Sequence, residues 1–179
     1  MSLDGAANSA QEVLLKLDRW PTWMWANEEV VALAEWLRNH NGKLPQDKKV
    51  GFYGMDVYDE WNSKKVVLDL LKATYRNAYL YVKEQYNCFE PHKGDSWNYA
   101  YAVSTGKKSC ATATKNVVEY IRDNRDNFSQ LCDDTYFYLL QNTLVVHNAE
   151  KFYRESIASK GDVSWNSRVH HMHGTVNIV

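Results

Sequence analysis

The chain has 179 residues, enough for one domain with a real core and short for two. Hydrophobic residues make up 45% and charged residues 24%, which argues against global disorder. With 21 Lys plus Arg against 22 Asp plus Glu the net charge is -1, and no surplus of cations is available to grip nucleic acid.

No apolar run approaches the roughly 18 residues of a membrane span, and no membrane association is expected. Met1 to Ala10 show neither the basic start nor the apolar stretch of a secretory signal. Cys88, Cys110 and Cys132 lie too far apart for a zinc knuckle or a redox pair. They read as reduced thiols of a cytoplasmic protein. Aromatics are in excess at 13%, while three Pro and eight Gly punctuate the chain sparsely, so long helices are expected.

Residues 1–10 read as a leader outside the fold, and 11–179 as a helical domain. The first helix is expected over Ser9–Arg19, with Val13, Leu14 and Leu17 one turn apart and Pro21 as its stop. Asn27 is a capping residue for the second, with Glu28 and Glu29 at the positive end of its dipole. Val30, Leu33, Ala34 and Leu37 form its stripe, and Asn41-Gly42 ends it. Val50–Asp56 is apolar on both faces and predicts one short buried strand, in which Gly51 and Gly54 imply a close backbone approach.

Beyond it the pattern is helical again. Ser63 is a candidate cap for a helix carrying Val67, Leu70 and Leu71, and Tyr75, Tyr79, Val82 and Tyr86 continue at helical spacing before Pro91. His92–Ser96 reads as a loop. Ala113, Val117, Ile121 and Phe128 stripe another helix. Asp133 and Asp134 open the longest, which runs to about Lys160. Its apolar residues (Phe137, Leu140 and Leu144, but also Tyr138, Val145 and Phe152) occupy more than one face, so other helices should surround it. The fold class is mainly α, a helical bundle with one short strand.

Three groups of polar residues have two readings each. His147, Glu150 and Arg154 lie at i, i+3 and i+7 on the long helix. They form either a solvated face with a Glu150–Arg154 pair or a stripe facing a cleft, flanked by Asn148 and Tyr153. His170, His171 and His173 suggest a metal, but no carboxylate or Cys completes a four-ligand site, and a solvated His-rich turn is the preferred reading. Asp56 either caps a turn or lies at the strand edge where ligands gather, with Tyr58 two residues on. No phosphate loop, Gly-x-Ser-x-Gly elbow or His-Glu-x-x-His pair occurs, so no cofactor or metal is expected.

Several collinear segments resemble one family. They are Pro21-Thr22-Trp23-Met24-Trp25-Ala26-Asn27-Glu28-Glu29-Val30, Glu35-Trp36-Leu37-Arg38, Val50 to Tyr58 and Tyr86-Asn87-Cys88-Phe89-Glu90-Pro91. Val145 to Arg154, with its Asn148-Ala149-Glu150 and Tyr153-Arg154, and Ser164-Trp165-Asn166 with Arg168 and Met172 complete the set. From about Val13 onward the chain resembles erythromycin-esterase-like proteins, some of which are named for succinoglycan biosynthesis.

The resemblance implies a bacterial hydrolase with a large helical portion inserted in an α/β protein. The best-known members confer macrolide resistance by opening the macrolide lactone. There a His acts as general base toward water, with Glu, His and Arg from a Glu-x-x-His-Gly and a His-Asn-x-His motif. Neither motif is present in this chain. By resemblance the chain is a central helical segment excised from a longer enzyme, inactive alone, whose small-molecule substrate would be macrolide-like or another ester. Asp56, Tyr58, Asn148, Tyr153, Arg154, Asn166 and Arg168 would bind that substrate or support those that do, and no residue is assigned a catalytic role. Val169 stands where the family carries Asp, which predicts looser aim for Arg168. The alternative is a non-catalytic helical module for ligand or protein binding, and apolar surface left by excision would favour self-association.

Overall fold

The computed structural model describes residues 9–16, 22–51, 53–92, 94–159 and 162–177. It divides the chain into two compact units, Met1–Gly54 and Met55–Val179. The fold is mainly α, and no strand occurs among the described residues. None of its helices there is long and apolar enough to cross a membrane.

The first unit contains α1 (Ala10–Leu14), α2 (Thr22–Trp25) and α3 (Glu28–Asn41). Ser9 caps α1 through Glu12 N–H, and Ala10 N–H donates to Glu35 of α3 at 2.6 Å. The stop at Pro21 lies outside the described residues. Asn27 caps α3 by accepting from Val30 N–H at 2.9 Å. Gly42 ends that helix in an ordinary right-handed conformation (φ -61°), so its glycine is not needed there for a left-handed turn.

The predicted strand does not form. Val50 has no ladder partner, and the Asn41 side-chain amide substitutes for one. Its Nδ2 donates to Val50 O at 2.8 Å, and its Oδ1 accepts from Val50 N at 2.9 Å. The group close to Gly51 is the ring of Tyr53, two residues on, whereas Gly54 has open space. An apolar run without a neighbouring strand leaves backbone groups unpaired, and at Val50 a side chain pairs them.

The second unit contains α4 (Glu60–Thr74), α5 (Arg76–Tyr86), α6 (Ser96–Ser104), α7 (Ala111–Asp123), α8 (Asp133–Ala158) and α9 (Asp162–Val176). Helix α8 packs against α4, α6, α7 and α9, as its multi-faced apolarity predicts. Leu139, Thr143, Val146 and Ala149 are buried along it. One core joins Val67, Leu71, Val82, Tyr86, Phe89, Tyr99, Val117, Ile121 and Phe128 to α8. A smaller core gathers Val57, Ala100, Ala149, Phe152 and Tyr153.

Several boundaries differ from the sequence reading. Ser63 does not cap: it is buried inside α4, which starts at Glu60. Tyr75 breaks the run into α4 and α5 with non-helical φ -124° and ψ 70°. Asn87–His92 is a 3-10 turn that accommodates Pro91. Gly94 then takes a left-handed φ of 87°, a conformation glycine enters without steric cost. Asp95 caps α6 through Trp97 N–H and Asn98 N–H, so the expected loop leads into a helix. Phe128 sits on a separate 3-10 turn after α7.

The His-rich segment is helical and not a turn; His170 and His173 are exposed, as expected, but His171 is buried. The segment lies within α9, whose Ser164, Ser167 and His171 are buried at helical spacing. The thiols are not all reduced either. Cys88 and Cys110 form a disulfide with Cα atoms 5.8 Å apart, while Cys132 is free and exposed. That bond removes the ground on which a reducing compartment was inferred.

Candidate functional site

Two polar clusters lie in the second unit. The first is built on α9 and the segment before α4. That segment, residues 55–59, has no regular secondary structure and is placed by side chains. Val57 is fully buried in the smaller core, and the Tyr58 ring meets Phe152 edge-on at 5.3 Å.

Asp56 then faces Arg168 across the fold. Arg168 Nε donates to Oδ1 at 2.9 Å and its terminal nitrogen to Oδ2 at 2.7 Å, a parallel fork that fixes the guanidinium plane. Asp56 Oδ1 also accepts from Val57 N–H at 2.7 Å. Burial pushes the Asp56 carboxyl up. The Arg168 hydrogen bond, the Val57 N–H and the charges of Arg168 and His171 outweigh it, and the pKa lies below the usual carboxylate range. The absence of Asp at position 169 therefore does not loosen Arg168, because its carboxylate arrives from 112 residues away.

Aromatic rings frame the same guanidinium. Its centre is 5.1 Å from the Tyr58 ring and 5.2 Å from that of Trp165, one helical turn earlier. The Arg168 side chain keeps 23% of its surface, beside a Trp165 that is itself exposed. Asn148 joins this neighbourhood through His171, its Nδ2 lying 2.9 Å from His171 Nδ1.

The second cluster lies on α8. Glu150 has no exposed side-chain surface, and Tyr99 OH donates to its Oε1 at 2.7 Å. Arg154 Nε donates to the same oxygen at 3.0 Å. The Tyr99 oxygen in turn accepts from Cys110 N–H at 2.7 Å. Burial, opposed by the Cys110 N–H and aided by Glu150, pushes the Tyr99 hydroxyl pKa up, so it remains a donor.

His147 Nδ1 is 3.0 Å from Thr114 Oγ1, whose proton goes to Ala111 O at 3.1 Å. Burial lowers the His147 pKa, with Lys151, Arg154 and Arg122 lowering it further against the opposing Glu150, so the ring is neutral at pH 7. The stripe is therefore not a solvated face: Glu150 is buried, His147 and Arg154 are half-buried, and the expected Glu150–Arg154 pair forms.

The residues singled out from sequence divide accordingly. Asp56, Tyr58 and Arg168 meet directly, and Asn148 adjoins them through His171. Arg154 belongs to the Glu150 cluster. Tyr153 is buried in the smaller core, with Trp97 edge-on at 5.1 Å. Asn166 is exposed and joins neither cluster. Tyr99 and Thr114 were missed, and His171 was read only as part of a His-rich turn. Position 171, one turn after Arg168, was the available signal for His171, whereas nothing local marked the other two.

A cleft of ≈ 590 Å³ lies elsewhere, between the 3-10 turn after α5 and the start of α7. Lys107 and Lys108 are its charged lining residues, and it includes none of the seven candidate substrate-binding residues named from sequence. Among the described residues no three of His, Cys, Asp and Glu converge as a metal would require.

Fold and site thus define a helical protein with a guanidinium aimed by a carboxylate fork and partly exposed. The erythromycin esterase family model matches residues 3–179, and the chain belongs to that family. No solved structure matches it.

Proposed function

We propose that this chain supplies the binding wall of an ester- or lactone-hydrolysing enzyme and holds substrate while groups carried elsewhere handle the proton. The observation that carries this reading is Arg168. Two of its nitrogens are committed to Asp56, two aromatic rings frame it, and the side chain keeps 23% of its surface, through which its third nitrogen would reach a carbonyl or carboxylate oxygen. Such a group recognises an oxygen but does not take a proton from water, and ester hydrolysis near neutrality needs both functions. Membership of the esterase family supports a small ester or lactone, macrolide-like or otherwise, as the ligand.

The test uses the purified chain with p-nitrophenyl acetate and with a macrolide. The expected result is no hydrolysis above buffer, with macrolide binding by calorimetry that Arg168→Lys weakens, because lysine keeps the charge but loses the planar fork. Turnover that disappears in Arg168→Ala would overturn the division of labour. A second reading, a protein-interaction module that self-associates, is favoured by the first unit. There Trp23, Trp25 and Trp36 are at least half exposed and no described residue is buried.

A further inference from the structure

We propose that His171 is a positioning residue for the Asp56–Arg168 pair, held as the neutral imidazole with its proton on Nε2. The inference deepens the binding role proposed for Arg168 and depends on that role only for its functional consequence.

The geometry begins with burial: His171 is only 5% exposed. Its Nδ1 lies 2.9 Å from Asn148 Nδ2, and an amide nitrogen can only donate. Nδ1 therefore carries the lone pair, and the ring proton belongs on Nε2. That atom is buried and has no hydrogen-bond partner, and the Asp56 main chain is the neighbour that acts on the ring from that side. The two sides of Asp56 are thus engaged separately: Arg168 holds the carboxylate, and His171 backs the main chain.

Without helix or sheet to hold residues 55–59, such side-chain walls decide where the carboxylate sits. The groups facing the imidazole are Asp56 from that segment and Asn148 from α8, while Arg168 lies one turn back on α9. Protonating the ring would set an Nδ1–H against the Asn148 N–H and create a second cation competing for Asp56. Burial lowers the His171 pKa, partly opposed by Asp56, which keeps the ring uncharged at neutral pH.

The experiment is nitrogen-15 NMR on the whole chain, with His171→Gln and His171→Asn. Gln places an amide where Nε2 was, while Asn reproduces only the side facing Asn148. The wild-type ring should show the Nε2–H tautomer. The Arg168 Nε–H should exchange with solvent at a similar rate in Gln, but roughly tenfold faster in Asn, where the wall behind Asp56 is gone. An Nδ1–H tautomer, or equal Arg168 exchange in both variants, overturns the proposal. If either variant fails to fold, Asn148→Ala takes its place, because it releases the His171 ring without altering it: faster Arg168 Nε–H exchange supports the proposal and an unchanged rate overturns it. No substrate enters these measurements, so failure of the binding reading leaves their result intact.

Discussion

Glu150 carries a carboxylate without solvent contact, and its accommodation depends on donors from two helices. Tyr99 OH and Arg154 Nε converge on one oxygen, and the i, i+4 spacing on α8 supplies only the second of these. Removing the carboxylate strands the Tyr99 hydroxyl and unpairs a guanidinium. Arg154 is about one-third exposed, so its loss is partly offset by water. Glu150→Ala should cost about 3 kcal/mol in urea unfolding, the low end for breaking a buried pair. Glu150→Gln keeps an acceptor for Tyr99 and should cost roughly 1–2 kcal/mol. Equal losses would mean that the Tyr99 contact contributes nothing. The Glu150–Arg154 pairing was legible as a local spacing. Asp56–Arg168 was not, because nothing in a one-dimensional pattern joins residues 112 positions apart.

Among the elements, α8 and α9 differ in what their sequences disclose. Two aspartates mark the start of α8, and its many-sided apolarity announces a surrounded helix. Helix α9 buries Ser, Ser and His toward its neighbours and exposes Val163, Trp165, Val169 and Val176, the reverse of an amphipathic stripe. Its identity as a helix was hidden for that reason. The start of α7 has another support: Cys110 has no side-chain cap bond, but its disulfide ties it to Cys88 after α5. The bridge closes a sequence separation of 22 residues, worth about 3 kcal/mol by loop entropy. Reduction with dithiothreitol should lower the urea midpoint accordingly, and Cys88→Ala should remove the response. A midpoint indifferent to reductant would show that the bridge adds no stability.

For the whole molecule, the two units make opposite predictions. Residues 55–179 contain both buried cores and should unfold cooperatively when expressed alone, as read by far-ultraviolet circular dichroism in urea. A gradual, non-cooperative transition would place essential core outside that unit. The first unit has no buried described residue and cannot offset its chain entropy by burial alone. Sedimentation of the full chain should therefore show concentration-dependent association, weakened by replacing Trp23, Trp25 and Trp36 with Ser. A monomer at all concentrations would remove the self-association reading.

The sequence alone determined the family, the helical class, the central position of α8 and the Asn27 cap, because each is written in contiguous residues or in a short period. Tertiary structure decided that the apolar run at Val50–Asp56 stays outside any sheet. It also decided that Cys88 meets Cys110, and that His171 is buried beside an ion pair. Each of these depends on whether a distant partner arrives. Strand pairing, disulfide formation and charge burial are all relations between separated segments, so only the folded chain could show which partners meet.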